Sequence, residues 1–245
     1  MDITTLPPIA AVLDAAYSLV VGFVGGLDPL FGSSAAGVAV ILITICVRTL
    51  LIPVGISQVR AEFTRRHLAP KLAELRRRFG KNPELLQRKT MALYAEEKAS
   101  PLAGCLPLLL QAPVLSTLYA LFAFSVVAGH ANALLDETFL GTALGDSLFA
   151  AITGSVDLLA HAIVLGVIVV VALLSRSTTI AFAATAPAAG DVPAAFAPGG
   201  PLSWLALATV VVAAVVPLAA ALYLAVSSSW TLGERVLLRR VLAPR

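Results

Sequence analysis

Ile41-Leu42-Ile43-Thr44-Ile45-Cys46-Val47-Arg48-Thr49-Leu50-Leu51-Ile52 is an apolar run interrupted by a single cation. Extended to residues 34–56, it reaches the ~20 residues that cross a hydrocarbon core as a helix. An arginine inside such a run costs at least ~2.5 kcal/mol at bilayer depth, so something must compensate it. The run therefore predicts both a membrane span and a polar feature within it.

Three further apolar runs occupy about 105–128, 157–174 and 202–232. Of the 245 residues 59% are hydrophobic and 13% charged, with a mean hydropathy of +0.93. This is far from the balance of a soluble domain, and the expected fold class is an all-α integral membrane protein. Residues 57–100 carry eleven Lys/Arg against five Glu, whereas 1–33 and 129–156 hold six Asp/Glu and no Lys or Arg. The positive-inside rule puts 57–100 in the cytoplasm and the two acidic segments outside.

Residues 202–232 are long for one span and contain Pro217. The tail that follows, with Arg235, Arg239, Arg240 and Arg245 against Glu234, should stay inside. Two short helices turning near Pro217 satisfy this, dividing 202–232 into stretches of about 22 Å each and implying a thinned bilayer; the spans are placed at about 202–216 and 218–235. The expectation is five spans in a core of residues 34–245, with the N-terminus outside and the C-terminus cytoplasmic. Residues 1–33 lack the charged start of a signal peptide. Ile9, Leu13, Val20, Phe23, Val24 and Leu27 recur at helical spacing, as in an amphipathic helix on the outer interface; an additional spanning helix is the alternative.

The basic segment predicts a helical hairpin. Leu68, Leu72, Leu75 and Phe79 form one apolar stripe, and Leu86, Leu93 and Tyr94 another. Gly80 ends the first helix, Asn82 caps the second and Pro83 takes its first position. Arg76, Arg77, Arg78 and Lys81 cluster at the tip, where they suit phosphates of RNA or anionic lipid; a solvated face is the bland alternative. Ala181 to Pro201 reads as an Ala/Pro/Gly connector.

Within the spans no carboxylate is placed to pair with Arg48. Residue physics leaves two equal readings, a hydrated cavity open to the cytoplasm or a side chain snorkelling to the inner headgroups. Gln111, Ser116, Thr117, Tyr119, Tyr223 and Ser227 to Ser229 add polar groups for such a cavity. Cys46 and Cys105 read as small packing residues. His67, His130 and His161 show no metal-ligand spacing, and no catalytic set is present, so neither enzyme chemistry, metal nor cofactor is expected.

Val47-Arg48-Thr49-Leu50-Leu51-Ile52-Pro53, then the basic hairpin, then Ser100-Pro101-Leu102-Ala103-Gly104-Cys105-Leu106-Pro107-Leu108-Leu109-Leu110-Gln111-Ala112-Pro113 together resemble the signature of the YidC insertases, bacterial relatives of the mitochondrial and chloroplast inner-membrane insertases. Pro217 to Tyr223 is similar to that family's proline-led last span. Ser100, Ala103, Leu218-Ala219, Leu224 and Ser228 depart from its usual pattern. The resemblance implies a five-helix core around a hydrophilic groove open to cytoplasm and lipid, with Arg48 as the groove arginine and Gln111 and Tyr223 at groove positions; Thr44 and Ser227 join them as candidates. It implies a bacterial plasma-membrane protein that inserts nascent membrane proteins, with the hairpin (Arg76, Arg77, Arg78 and Lys81) taking part in recruitment; the ribosome and a Sec-type translocon are candidate partners, anionic lipids are partners suggested by the hairpin's cations, and a monomer suffices for this mechanism. Two other classes compete: a small-anion transporter or channel built on Arg48, and a nucleic-acid-binding membrane protein using the hairpin.

Overall fold

The computed structural model describes residues 7–97, 112, 116–117, 119–122, 124, 126–127, 130–154, 158–185 and 200–243. The chain is mostly helical. In order, the elements are α1 (Pro7–Phe31), α2 (Ala35–Leu50), α3 (Ile52–Phe79), α4 (Pro83–Glu96), β1 (Val126–Val127), β2 (His130–Ala131), β3 (Thr138–Phe139), β4 (Thr142–Ala143), α5 (Leu148–Gly154), α6 (Leu159–Ala184), α7 (Ala208–Val215) and α8 (Leu218–Val241). Two helical stretches, Ala10–Leu50 and Leu159–Ala184, are long and apolar enough to cross a membrane, and Ser203–Val215 is a shorter apolar one.

Contacts divide the chain into two compact units. The first comprises Met1–Leu50, Gln111–Leu173 and Leu207–Thr231; the second comprises Leu51–Leu110, Leu174–Ala206 and Leu232–Arg245.

In the first unit α1 packs on α2. Gly32, at φ +51, supplies the break between them that an L side chain would resist. The buried stripe of α1 is Leu13, Val20 and Val24, with Ala16, Tyr17 and Leu27 packed against it. Phe23, expected on that face, is exposed, because it stands a quarter turn away from Val20 and Val24. Two small antiparallel ribbons, β1 with β2 and β3 with β4, interrupt the otherwise helical architecture. The second is closed by Leu140 and Gly141, both at positive φ, the requirement of a two-residue turn that follows strand twist.

The 142–146 segment meets the start of α8. Pro217 ends α7 in extended conformation at Val216, and α8 begins with amides that have no helical acceptor. Leu218 N–H donates to Asp146 O at 2.8 Å and Ala219 N–H to Leu144 O at 3.0 Å. His161 of α6 lies 3.3 Å from the same Asp146 carbonyl. Asn132 ties the preceding segment, its amide nitrogen donating to Leu121 O at 2.6 Å and Phe124 O at 2.8 Å.

In the second unit α3 and α4 pack on each other. Asn82 caps α4, its side chain accepting from Leu85 N–H at 3.1 Å, with Pro83 in the first turn. Gly80 stays in right-handed helical conformation instead of the left-handed one a terminating glycine often takes; glycine is needed there because a Cβ would press on Arg76 O at 2.5 Å. Leu68 is fully buried, while Leu72, Leu75, Phe79, Leu86, Leu93 and Tyr94 are half-buried.

Two expected boundaries move, and one side chain has other surroundings than expected. The helix placed at 157–174 continues to Ala184, so the start of the presumed connector is helical. The last helix is not a short one ending near 235: α8 runs 24 residues to Val241, about 36 Å of helix. Cys46 is exposed instead of packed within the chain. Cys105 and the Gly104 to Pro113 run lie outside the described residues, apart from Ala112.

Candidate functional site

α2 and α8 each present a polar strip four residues apart. On α2 it is Thr44 and Arg48; on α8 it is Tyr223 and Ser227, continued by Thr231. Thr44, Tyr223 and Ser227 are buried and Arg48 half-buried, and the strips meet where Arg48 Nε donates to Ser227 Oγ at 2.9 Å. Nη2 of the same guanidinium also donates to that hydroxyl. Tyr223 shares a side-chain hydrogen bond with Ser227 and lies in the field of Arg48. A sequence separation of 179 residues is thus closed by one contact.

Of the residues singled out in the sequence, Arg48, Tyr223 and Ser227 come together. Thr44 shares their helix face but spends its hydroxyl on Val40 O of its own helix at 2.6 Å. Gln111 lies outside the described residues. Ser116 and Tyr119 are exposed and Thr117 half-buried. Ser228 and Ser229 donate back to Ala225 O. Arg48 is held by a hydroxyl: Ser227, expected only as a polar group lining the same cavity, accepts from the guanidinium directly.

The second unit holds a group that sequence reading missed. Arg239, counted there as a tail charge, is 8% exposed and paired with Glu62 of α3, Nε to Oε2 at 3.1 Å and Nη2 to Oε1 at 2.5 Å. Its guanidinium also stacks on Phe182 at 4.1 Å, and Arg66 approaches the same ring at 3.8 Å. Phe63 meets Phe182 edge-on at 5.6 Å. Arg66 adds a 2.8 Å bond to Thr185 Oγ1. α3, α6 and α8 are thereby joined at the base of the hairpin. Glu234 packs on Gly55, where a Cβ would overlap its carboxylate.

At the far end of α3, Arg76, Arg77, Arg78 and Lys81 are all exposed. Arg78 is paired with Glu74 one turn back, so the cluster presents less charge than its sequence suggests. Lys71 bridges to Glu97 at the end of α4. That hydrogen bond holds the Glu97 carboxyl below its ordinary value and raises the Lys71 ammonium above its own. The described residues contain no cluster of metal-ligating side chains.

The model of the family described as "60Kd inner membrane protein" matches residues 27–244. The chain belongs to that family. The match takes in α2 to α8, and with them Arg48, Ser227 and the Glu62–Arg239 pair. Among its relatives, the "Membrane protein insertase YidC" of Clostridium perfringens is 39% identical over 118 residues, 48% of this chain and 49% of that protein. Proteins of the same name from Shewanella pealeana and Haemophilus influenzae are 43% and 42% identical over 99 and 95 residues, 18% of their own lengths. The matched stretch thus spans at most about half of these relatives. Membership of this family makes the chain a bacterial inner-membrane protein.

Proposed function

We propose that this chain is a membrane protein insertase that lowers the cost of carrying short hydrophilic segments of nascent membrane proteins into the bilayer. The reading rests on the Arg48–Ser227 contact: a guanidinium held with a tyrosine and a serine between helices that are otherwise apolar. Moving a charged side chain to the middle of a bilayer costs at least ~2.5 kcal/mol, and a polar strip partway across shortens the apolar path that must be crossed. Arg48 attracts acidic or polar client segments; Ser227 and Tyr223 hold it in place and offer hydroxyls to the same segments. The step involves no bond chemistry.

In this reading the protein has five spans, with the N-terminus outside and the C-terminus cytoplasmic. α1 lies along the outer interface. Support comes from Tyr17, whose hydroxyl accepts from Ala133 N–H at 3.4 Å, and Ser33, whose carbonyl accepts from Thr138 Oγ1 at 2.9 Å. Tyr17 in the middle of α1 and Ser33 just past its C-terminal end both touch the 130–139 segment, as they would if α1 ran beneath that segment. The basic hairpin recruits ribosomes or clients and meets anionic lipid, with Arg76, Arg77 and Lys81 as the available cations. A Sec-type translocon is a further partner, and one copy suffices. The small-anion transporter reading finds no support, since the relatives named above are called insertases.

A photo-crosslinker at Ser228, half-buried beside Ser227, tests the reading. It should capture ribosome-bound nascent membrane proteins and leave a soluble nascent chain untouched. Capture of neither, with the protein correctly inserted, contradicts it.

A further inference from the structure

Arg176 is the first charged residue after the apolar stretch 159–174 of α6. It is half-buried, and its partners are unusual. Nε donates to Ser203 Oγ at 3.1 Å, and the guanidinium lies 4.1 Å above the ring of Trp204. Ser203 has already given its own proton to Gly200 O at 2.7 Å, so its oxygen is oriented as an acceptor. Among the described residues Arg176 takes part in no ion pair, and Nη1 and Nη2 have no protein acceptor. Trp204 is itself 48% exposed, in the turn Pro201–Leu207 that leads into the apolar α7.

Two markers therefore coincide. Arg176 follows the apolar stretch 159–174, and Trp204 precedes the apolar α7; tryptophan and arginine both settle at headgroup depth. A guanidinium at that depth needs an anion, and its two terminal nitrogens form a planar edge that matches a phosphate. We propose that Arg176, Ser203 and Trp204 form a binding site for the phosphate of an anionic phospholipid. The tryptophan ring covers one face of the guanidinium, the serine fixes its Nε edge, and the terminal nitrogens take the headgroup.

Native mass spectrometry of the full chain, purified in detergent and loaded with phosphatidylglycerol or phosphatidylcholine, reads retained lipid directly. The protein should retain phosphatidylglycerol preferentially. Arg176→Gln should reduce that retention about fivefold, the effect of one cation near an anionic surface, and leave phosphatidylcholine unchanged. Arg176→Lys should lose less, keeping charge but not the fork. Trp204→Ala, which leaves the cation in place, should weaken retention in the same direction. Unchanged phosphatidylglycerol retention in both Arg176→Gln and Trp204→Ala overturns the proposal. Displacement of the lipid by excess inorganic phosphate also overturns it, in favour of a free-phosphate site. Because no client or ribosome is present, either result is independent of the insertase reading.

Discussion

Gly37 of α2 receives the ring of Phe139 from β3, so closely that a Cβ on Gly37 would overlap the ring atoms. The glycine is buried within the first unit, and the contact joins the ribbon of β3 and β4 to the helix that carries Arg48. Rigid placement of Arg48 thus begins about three turns away from it.

Gly37→Ala should therefore destabilise the protein by about 1–3 kcal/mol, the range for overpacking a filled site, against the small gain alanine usually gives in a helix. Thermal unfolding in detergent measures it. Adding Phe139→Ala should restore part of the loss, because the two positions are in contact and do not act additively. A Gly37→Ala protein as stable as the parent would show that the ring moves aside freely.

The Glu62–Arg239 pair should hold the base of α3 against the last helix. Glu62→Gln leaves a nearly buried guanidinium without its counter-charge; the cost should fall below the ~3–5 kcal/mol of a fully buried pair, since Glu62 keeps 31% exposure. Amide exchange should speed up over residues 57–70 and leave α4 unaffected. The exchanged pair Glu62→Arg with Arg239→Glu should recover little, because a carboxylate would then face the Phe182 ring. Full recovery would mean that charge alone, without ring stacking, makes the contact.

Lys71 and Glu97 provide a pH-dependent contact in the hairpin. Glu97 is lowered from 4.5 by Lys71, so the stability it adds is present above 4.5 and is lost as pH falls through the lowered value. Lys71 is raised from 10.5 by Glu97, so its share is present below 10.5 and is lost as pH rises through the raised value. Both side chains are solvent-accessible, so salt should weaken the effect. Amide exchange at the end of α4 should accelerate below about pH 4.5 in low salt, and Glu97→Gln should remove that step. An identical acid step in Glu97→Gln would assign it to another carboxylate.

Local signals were readable wherever a residue's chemistry acts on its neighbours. Asn82-Pro83 starts a helix because the cap and the proline both act within one turn, and Pro217 divides residues 202–232 for the same reason. Arg48 stood out because a charge in an apolar run has few explanations. Ser227 was legible as a candidate for the same groove but not as the acceptor of the Arg48 bond, since it sits among several serines of α8 and nothing local marks the one that meets α2. Arg239 was read as one of several tail charges because its burial depends on Glu62 and Phe182, both distant in sequence. The helical end of α6 was missed because glycines and prolines further along dominated the composition; Ile180-Ala181-Phe182-Ala183-Ala184 contains neither and continues the helix. The β ribbons are only two residues per strand, too short for an alternating pattern to register.

In the proposed insertase mechanism the charge of Arg48, held by Ser227, serves insertion. Insertion of a client with a short acidic translocated tail, in cells depleted of other insertases, measures it. Arg48→Lys should retain much of the activity, Arg48→Ala should lose about tenfold, the factor of ~1.4 kcal/mol, and Arg48→Glu should be worse through repulsion of the acidic tail. Because Ser227 is left behind, Arg48→Ala should also cost about 1 kcal/mol of stability, which the unfolding midpoint separates from the effect on insertion. Full activity in Arg48→Glu would contradict the account.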